Sequence, residues 1–422
     1  MTVTGFNCAV CGTAVDIATP FSWRCPVAGD DRHHVLRIAS AGEVAPAGED
    51  PNPFVAFRTR LAWDAFAAAC GMHDAARVAM VREVDAQVAR VAGTGFVFTP
   101  FARAGGLSDA LGFAADGGVW VKDETHHVGG SHKARHLFTI LLHLRTAEVA
   151  GLAPWRSPAD RPPLAIASCG NAALAAATLA ASVGWPIRVF VPPSANLHVT
   201  NRLQELGATV VHCPRLASDP PGDPCVHRFR EAVAAGAVPF SVQGPENAWC
   251  LDGGRTIGWE MAAAGVTLDR VFVQVGGGAF AACVAAGLAE GGSAPRLHAV
   301  QTGSCAPLAR TWGRLGSVAD DPARHWTDLM WPWEHVGTSA ADGILDDETY
   351  DWLPVVEAMA ATGGSPVVAD EADVVRAADL GPATTGIDAS ATGSAGLAGL
   401  LALRGSVGDH ERVAVVFSGV RR

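Results

Sequence analysis

From about residue 95 onward the sequence alternates short apolar runs with longer helix-patterned stretches, and this alternation constrains the fold more than any other feature. GGVWVKDE, PLAIAS, IRVFVP, TVVHCP, RVFVQV, RLHAVQTG and VAVVFSG read as strands. Between them lie SHKARHLFTILLHLRTAEVAG, the Ala-rich stretch 172–183, NLHVTNRLQELGA and GRTIGWEMAAAG, which read as helices. The first of these opens at Ser131, a favourable N-cap. Strands separated by helices predict parallel sheets covered on both faces, with ligands held at the carboxyl ends of strands. Ser168–Asn171, Gly276–Phe280 and Ser418 fall at such ends.

The fold class expected is therefore α/β, with two open, mainly parallel sheet domains covered by helices. A length of 422 residues suits two or three domains. Residues 1–40 read as a Cys-containing, degenerate zinc-ribbon-like knuckle, and 41–94 as a linker and helical extension. Residues 95–126 with 245–422 read as a large domain, and 127–244 as a smaller one. A hydrophobic share of 49% supports a large core and excludes global disorder. A net charge of −11 without a basic run argues against nucleic acid and anionic membranes as partners. No apolar stretch reaches the ~20 residues of a membrane span, and MTVTGFNCAV lacks a secretory pattern. Ten scattered cysteines predict a reducing, cytoplasmic setting.

One CxxC stands apart. Cys8 and Cys11 precede Cys25, and a zinc ribbon would place its fourth cysteine at position 28, which is Ala28. Asp30, His33 or His34 remain as substitutes. The segment is read as a knuckle without metal, and Cys8, Cys11 and Cys25 are the residues a metal would use.

Only two of the 31 basic residues are lysine, Lys122 and Lys133. Arginine stays protonated and cannot serve as an amine nucleophile, so a lysine retained in such a chain points to chemistry. Lys133 lies in the first turn of a helix, where the partial positive charge of the N-terminus disfavours a protonated amine. A neutral lysine is what Schiff-base chemistry requires. GGGAF, from Gly276 through Gly277, Gly278 and Ala279 to Phe280, joins a strand to a helix and suits a monophosphate. It does not match GxGxxG, which leaves a nicotinamide oxidoreductase as a poor rival. SCGNA, from Ser168 through Cys169, Gly170 and Asn171 to Ala172, suits a carboxylate, and the Asn171 amide suits a phenolic oxygen. A lysine, a phosphate-sized loop and a carboxylate-sized loop together call for pyridoxal phosphate.

SHKAR, SCGNAA, GGGAF and a C-terminal SG, in this order, resemble the fold-type II pyridoxal-phosphate enzymes. The resemblance runs from about Thr99 to Ser418, and the N-terminal cysteines with KDE point most toward the threonine synthases. It implies that Lys133 holds the cofactor and moves the substrate α-proton. It implies that Asn171 meets the ring hydroxyl and that Ser168, Cys169, Gly170, Asn171 and Ala172 bind substrate. Gly276, Gly277, Gly278, Ala279 and Phe280 would cradle the phosphate, with His132 beside it. Ser418 would face the pyridine nitrogen, and Ser394 would lie in another stretch lining the pocket. A hydroxyl at Ser418 leaves that nitrogen neutral and favours elimination or replacement over transamination.

The departures bear on substrate. SHKARH stands where threonine synthases read SFKDRG. Cys250 occupies the position of an arginine that grips substrate phosphate, and losing such a contact costs about 1.5–3 kcal/mol. The expected function is thus a lyase acting at Cβ or Cγ of a small L-amino acid other than O-phosphohomoserine. Serine/threonine dehydratase and cysteine synthase-like β-replacement are the alternatives, and a catalytically dead relative is disfavoured by Lys133 and Asn171. The family also implies a homodimer. His126, His127, His132 and His136 cluster around Lys133 as candidate phosphate neutralisers or a general acid. Residues 312–352 carry five of the 12 tryptophans and Tyr350, which suits a cover over the site, a subunit contact or a packed surface subdomain.

Overall fold

The computed structural model describes residues 2–29, 33–318 and 321–422. Its strands are β1 (Thr2–Cys8), β2 (Ala14–Asp16), β3 (Leu36–Ala41), β4 (Phe101–Arg103), β5 (Gly118–Asp123), β6 (Leu164–Ala167) and β7 (Ile187–Val191). They continue with β8 (Thr209–His212), β9 (Val238–Pro239), β10 (Arg270–Gln274), β11 (Arg296–Thr302), β12 (Ser365–Ala369) and β13 (Arg412–Phe417). The helices before residue 250 are α1 (Pro53–Ala56), α2 (Ala62–Ala69), α3 (Asp74–Ala92), α4 (Gly105–Ala110), α5 (Lys133–Val149), α6 (Asn171–Ser182), α7 (Leu197–Glu205) and α8 (Pro224–Ala234). Those after it are α9 (Cys250–Ala263), α10 (Ala279–Glu290), α11 (Pro307–Arg314), α12 (Trp326–Leu329), α13 (Trp352–Thr362), α14 (Glu371–Thr385) and α15 (Ala391–Leu403).

The chain divides into two units. The first comprises 1–97, 127–129 and 133–253, and the second 98–126, 130–132 and 254–422. The chain passes from the second to the first at the peptide bond between His132 and Lys133. The boundary drawn at residue 245 falls instead inside α9, at Gly253, and the N-terminal segment belongs to the first unit.

The first unit holds the four-stranded parallel sheet β8-β7-β6-β9 and the small antiparallel sheet β2-β1-β3. From β6 the chain runs outward through β7 to β8 and then returns to β9 on the other side of β6. The strand order therefore reverses beside β6, the position at which open parallel sheets bind ligands. SCGNA begins directly after β6.

The second unit holds β12-β11-β10-β13-β5-β4, parallel except for β4 at the edge. All five residues of β10 are buried, as a strand covered on both faces requires. Its order reverses between β10 and β13, neighbours in the sheet. The glycine loop leaves β10 and Ser418 leaves β13, so both flank that switch point.

Candidate functional site

Within the first unit, Lys133 is the first residue of α5 and is half-buried. Its backbone stands at the positive end of a 17-residue helix. Asn171 opens α6, a 12-residue Ala-rich helix whose N-cap is Gly170, a residue with no side chain to satisfy the first N–H groups. A Cβ on Gly170 would meet nothing within 4 Å, so packing does not require glycine there and the space beside it stays open. The Gly170 N–H donates to Ser168 Oγ at 3.4 Å, Cys169 is exposed, and Ala172 is buried in the helix face.

Cys250, at the position where the threonine synthases carry an arginine, is fully buried at the start of α9. Its carbonyl lies 2.8 Å from His136 Nδ1. His136 and His127 are both buried, and His127 packs against Phe96 with ring centroids 5.1 Å apart. His126 is exposed. The histidine cluster around Lys133 therefore disperses: two rings pack in the first unit and one faces solvent.

The second unit gathers the remaining candidates. Gly278 is the N-cap of α10 and takes the left-handed conformation, φ +96°. A side chain there would come within 2.9 Å of Thr349 Cγ2, and one on Gly276 would overlap Asp346 Oδ2. The loop is thus closed to side chains, and its nearest outside group is a carboxylate, the charge a helix N-terminus attracts. Phe280, in the first turn of α10, stacks on the His132 ring at 3.7 Å and 10°. His132 Nδ1 lies 2.5 Å from Ser418 Oγ, and the His132 backbone N–H donates to the same oxygen at 3.0 Å. One imidazole therefore spans from the glycine loop to the hydroxyl at the end of β13. The Ser418 N–H donates to the Gly393 carbonyl at 3.0 Å. Ser394, next along α15, is buried and donates its hydroxyl to the Ser390 carbonyl at 3.0 Å.

Two groups escaped the sequence reading. One is the run Asp346–Asp351 inside the Trp-rich segment. The Asp351 N–H donates to the Gly277 carbonyl at 2.8 Å, so the described part of this segment covers the glycine loop. Trp326 and Trp352, both buried and edge-to-face at 5.2 Å, anchor the cover. Nothing in local periodicity marks a contact some 70 residues away. The other is the gathering of a full ligand set at the N-terminus, where His34, one of the three substitutes named from the sequence, joins Cys8, Cys11 and Cys25.

The residues fit pyridoxal phosphate. In the second unit, a loop shut to side chains at a helix N-terminus and a buried hydroxyl after the neighbouring strand suit its phosphate and ring nitrogen, and the first unit carries, in Lys133, an amine of the kind its aldehyde takes. Solved structures share the architecture. Maize serine racemase is 19% identical and aligns with a TM-score of 0.60 over 82% of this chain and 93% of its own. Threonine deaminase isoform 2 from Solanum lycopersicum is 16% identical, with a TM-score of 0.60 over 91% and 95%. The L-serine ammonia-lyase from Rhizomucor miehei is 18% identical, with a TM-score of 0.58 over 77% and 94%. No curated protein matches the sequence significantly. The pyridoxal-phosphate dependent enzyme family matches residues 94–419, most of the chain, and the chain belongs to that family.

Proposed function

We propose that this enzyme eliminates a leaving group from Cβ or Cγ of a small L-amino acid. The observation that carries the reading is the buried Ser418 hydroxyl held by His132 at the end of β13. A hydroxyl pinned there cannot keep a pyridine nitrogen protonated as a carboxylate would. The bound cofactor supplies an electron sink for charge at Cα, and a neutral ring makes that sink moderate enough to favour loss of a leaving group. Lys133 would hold the cofactor's aldehyde carbon and afterwards carry the α-proton on its amine. The N-terminus of α6, with Ser168, Cys169, Gly170, Asn171 and Ala172, would hold the substrate carboxylate. Two structural neighbours bear the names threonine deaminase and L-serine ammonia-lyase, which accords with deamination to a 2-oxo acid and ammonia.

Cys250 is buried and offers no positive charge to pair with a substrate phosphate, which argues against O-phosphohomoserine. The proposal extends to a homodimer in the cytoplasm. No disulfide joins the cysteines among the described residues, which suits a reducing compartment. Among the described residues no helix is long and apolar enough to cross a membrane.

The test is a substrate screen on the yellow holoenzyme. Serine, threonine, O-acetylserine and O-phosphohomoserine are each assayed for a shift of the cofactor band and for release of a keto acid. Keto-acid release from one of the first three supports the proposal. Racemisation without elimination, or preferred turnover of O-phosphohomoserine, overturns it.

A further inference from the structure

We propose that the N-terminal segment is a structural zinc site whose ligands are Cys8, Cys11, Cys25 and His34. The sequence reading took this segment to be metal-free because Ala28 stands where a ribbon's fourth cysteine belongs. The fold supplies the missing ligand from the segment that leads into β3 instead.

The local backbone explains how. After Cys11 the chain turns through Gly12 in the left-handed conformation, φ +74°, and the Gly12 N–H donates back to the Cys8 carbonyl at 3.0 Å. The Cys8 N–H donates to the Thr13 carbonyl at 2.9 Å, which closes the turn and turns both sulfurs to one side. The second turn repeats the closure, with the Ala28 N–H donating to the Cys25 carbonyl at 3.1 Å. Arg24 braces it by donating to the Gly29 carbonyl at 2.8 Å. The chain then returns as β3, and the Ala9 N–H donates to the Val35 carbonyl at 2.8 Å, pinning the residue after His34 to the residue after Cys8. His34 Nδ1 thereby lies 3.5 Å from Cys8 Sγ. Of the two other substitutes, Asp30 lies outside the described residues and His33 is not among the four grouped ligands.

The distances match a tetrahedral ion. Zinc bonds of about 2.3 Å to sulfur and 2.0 Å to nitrogen set neighbouring ligands about 3.8 Å apart for S···S and about 3.6 Å for S···N. Cys11 Sγ and Cys25 Sγ are 3.6 Å apart, and all four ligand atoms lie within 4.8 Å of one another. A disulfide would need about 2.05 Å. Three thiolates and one imidazole select zinc among the common divalent ions, and four protein ligands leave no open position for catalysis. The role is therefore to hold the small β2-β1-β3 sheet. That sheet is tied to the first unit through Trp23, which lies edge-to-face on Trp249 at 5.4 Å and accepts the Ala248 N–H at 2.8 Å.

This inference is independent of the proposed function. The test uses the full chain purified without chelator. Elemental analysis is expected to give one zinc per chain. Exchange for Co(II) is expected to give intense thiolate-to-metal absorption with tetrahedral d–d bands at longer wavelength than the cofactor. Cys11→Ser should lower the zinc content from one equivalent to under a tenth. His34→Cys should retain the metal and shift the cobalt bands toward an all-thiolate pattern. If Cys11→Ser fails to fold, the cobalt spectrum of the unaltered chain still decides. Failure to retain added Zn(II) in reducing buffer, or octahedral cobalt bands, overturns the site, as does full zinc content in a folded Cys11→Ser chain.

Discussion

The chain's two lysines stand in opposite settings: Lys133 opens a helix and is proposed to act on substrate, whereas Lys122 is locked in the interior. Lys122 is fully buried in β5, where its Nζ pairs with Glu260 and donates to the Thr99 carbonyl at 2.8 Å. Glu260 also accepts the Thr99 N–H at 3.0 Å. Removing one partner strands a carboxylate in the interior, so Lys122→Met is expected to cost about 3–5 kcal/mol. Urea unfolding of the single variant and of Lys122→Met/Glu260→Met checks this, because the double change should recover most of the loss. Lys133→Arg keeps the charge and removes only the nucleophile. Borohydride should then fail to fix the cofactor to the peptide at 133, and turnover should fall by about 10²–10⁴, the range a positioned proton carrier supplies. Turnover within threefold of the parent would exclude Lys133 as the proton carrier. What the structure does place as read is Lys133 in the first turn of a helix, at α5, and an arginine-rich background is what drew attention to it in the sequence. The partner of Lys122 was not legible, since Glu260 lies 138 residues further on.

At the scale of elements, α15 shows how a glycine pattern serves packing and site at once. Gly393, Gly396 and Gly399 recur every three residues and face the sheet. A Cβ on Gly399 would overlap the Val300 side chain, and one on Gly393 would come within 2.9 Å of the Ser418 carbonyl. Either alanine overpacks a fitted contact, at a cost of about 1–3 kcal/mol. They are expected to differ in function. Gly399→Ala should lower the unfolding midpoint and leave cofactor affinity unchanged. Gly393→Ala should also weaken it severalfold, because the Gly393 carbonyl receives the Ser418 N–H. Cofactor titration of both variants separates the two effects. The long strands and helices from β5 to β13 were legible because their apolar runs and periodicity are local. β4 and β9 were not, because three and two residues are too few to show a period of alternation, and β12 also went unread, since SPVVA shows no clear alternation. Three-stranded pairing at the N-terminus was equally hidden, because β1 carries a register irregularity between Val3 and Gly5.

For the whole molecule, the sequence carried the α/β class and the order of the loops at strand ends, while strand order and the cover over the glycine loop depend on pairings far apart in sequence. Burial of polar groups belongs to the same class of hidden facts, and it sets the response to acid. His143 looks like any helix histidine in the sequence. In the structure it is almost fully buried, stacked on Trp249 at 4.2 Å and 9°, with neither ring nitrogen bonded. Burial pushes its pKa down to about 3 from an ordinary 6.5. His298 is pushed the same way, to about 4, by burial and by Arg270. Below the ordinary value the unfolded chain takes up protons that the folded chain refuses. Stability is therefore full above about pH 6.5 and falls as the pH drops toward the folded pKa, by up to about 1.4 kcal/mol per unit for each group. Between pH 7 and pH 5, His143 alone should remove about 2 kcal/mol. His143→Phe keeps the stack and removes the titration. Its urea unfolding free energy at pH 7 should equal or exceed that of the parent, and its loss on going to pH 5 should be smaller by about 2 kcal/mol. An identical pH slope in the two proteins would mean that His143 protonates in the folded state.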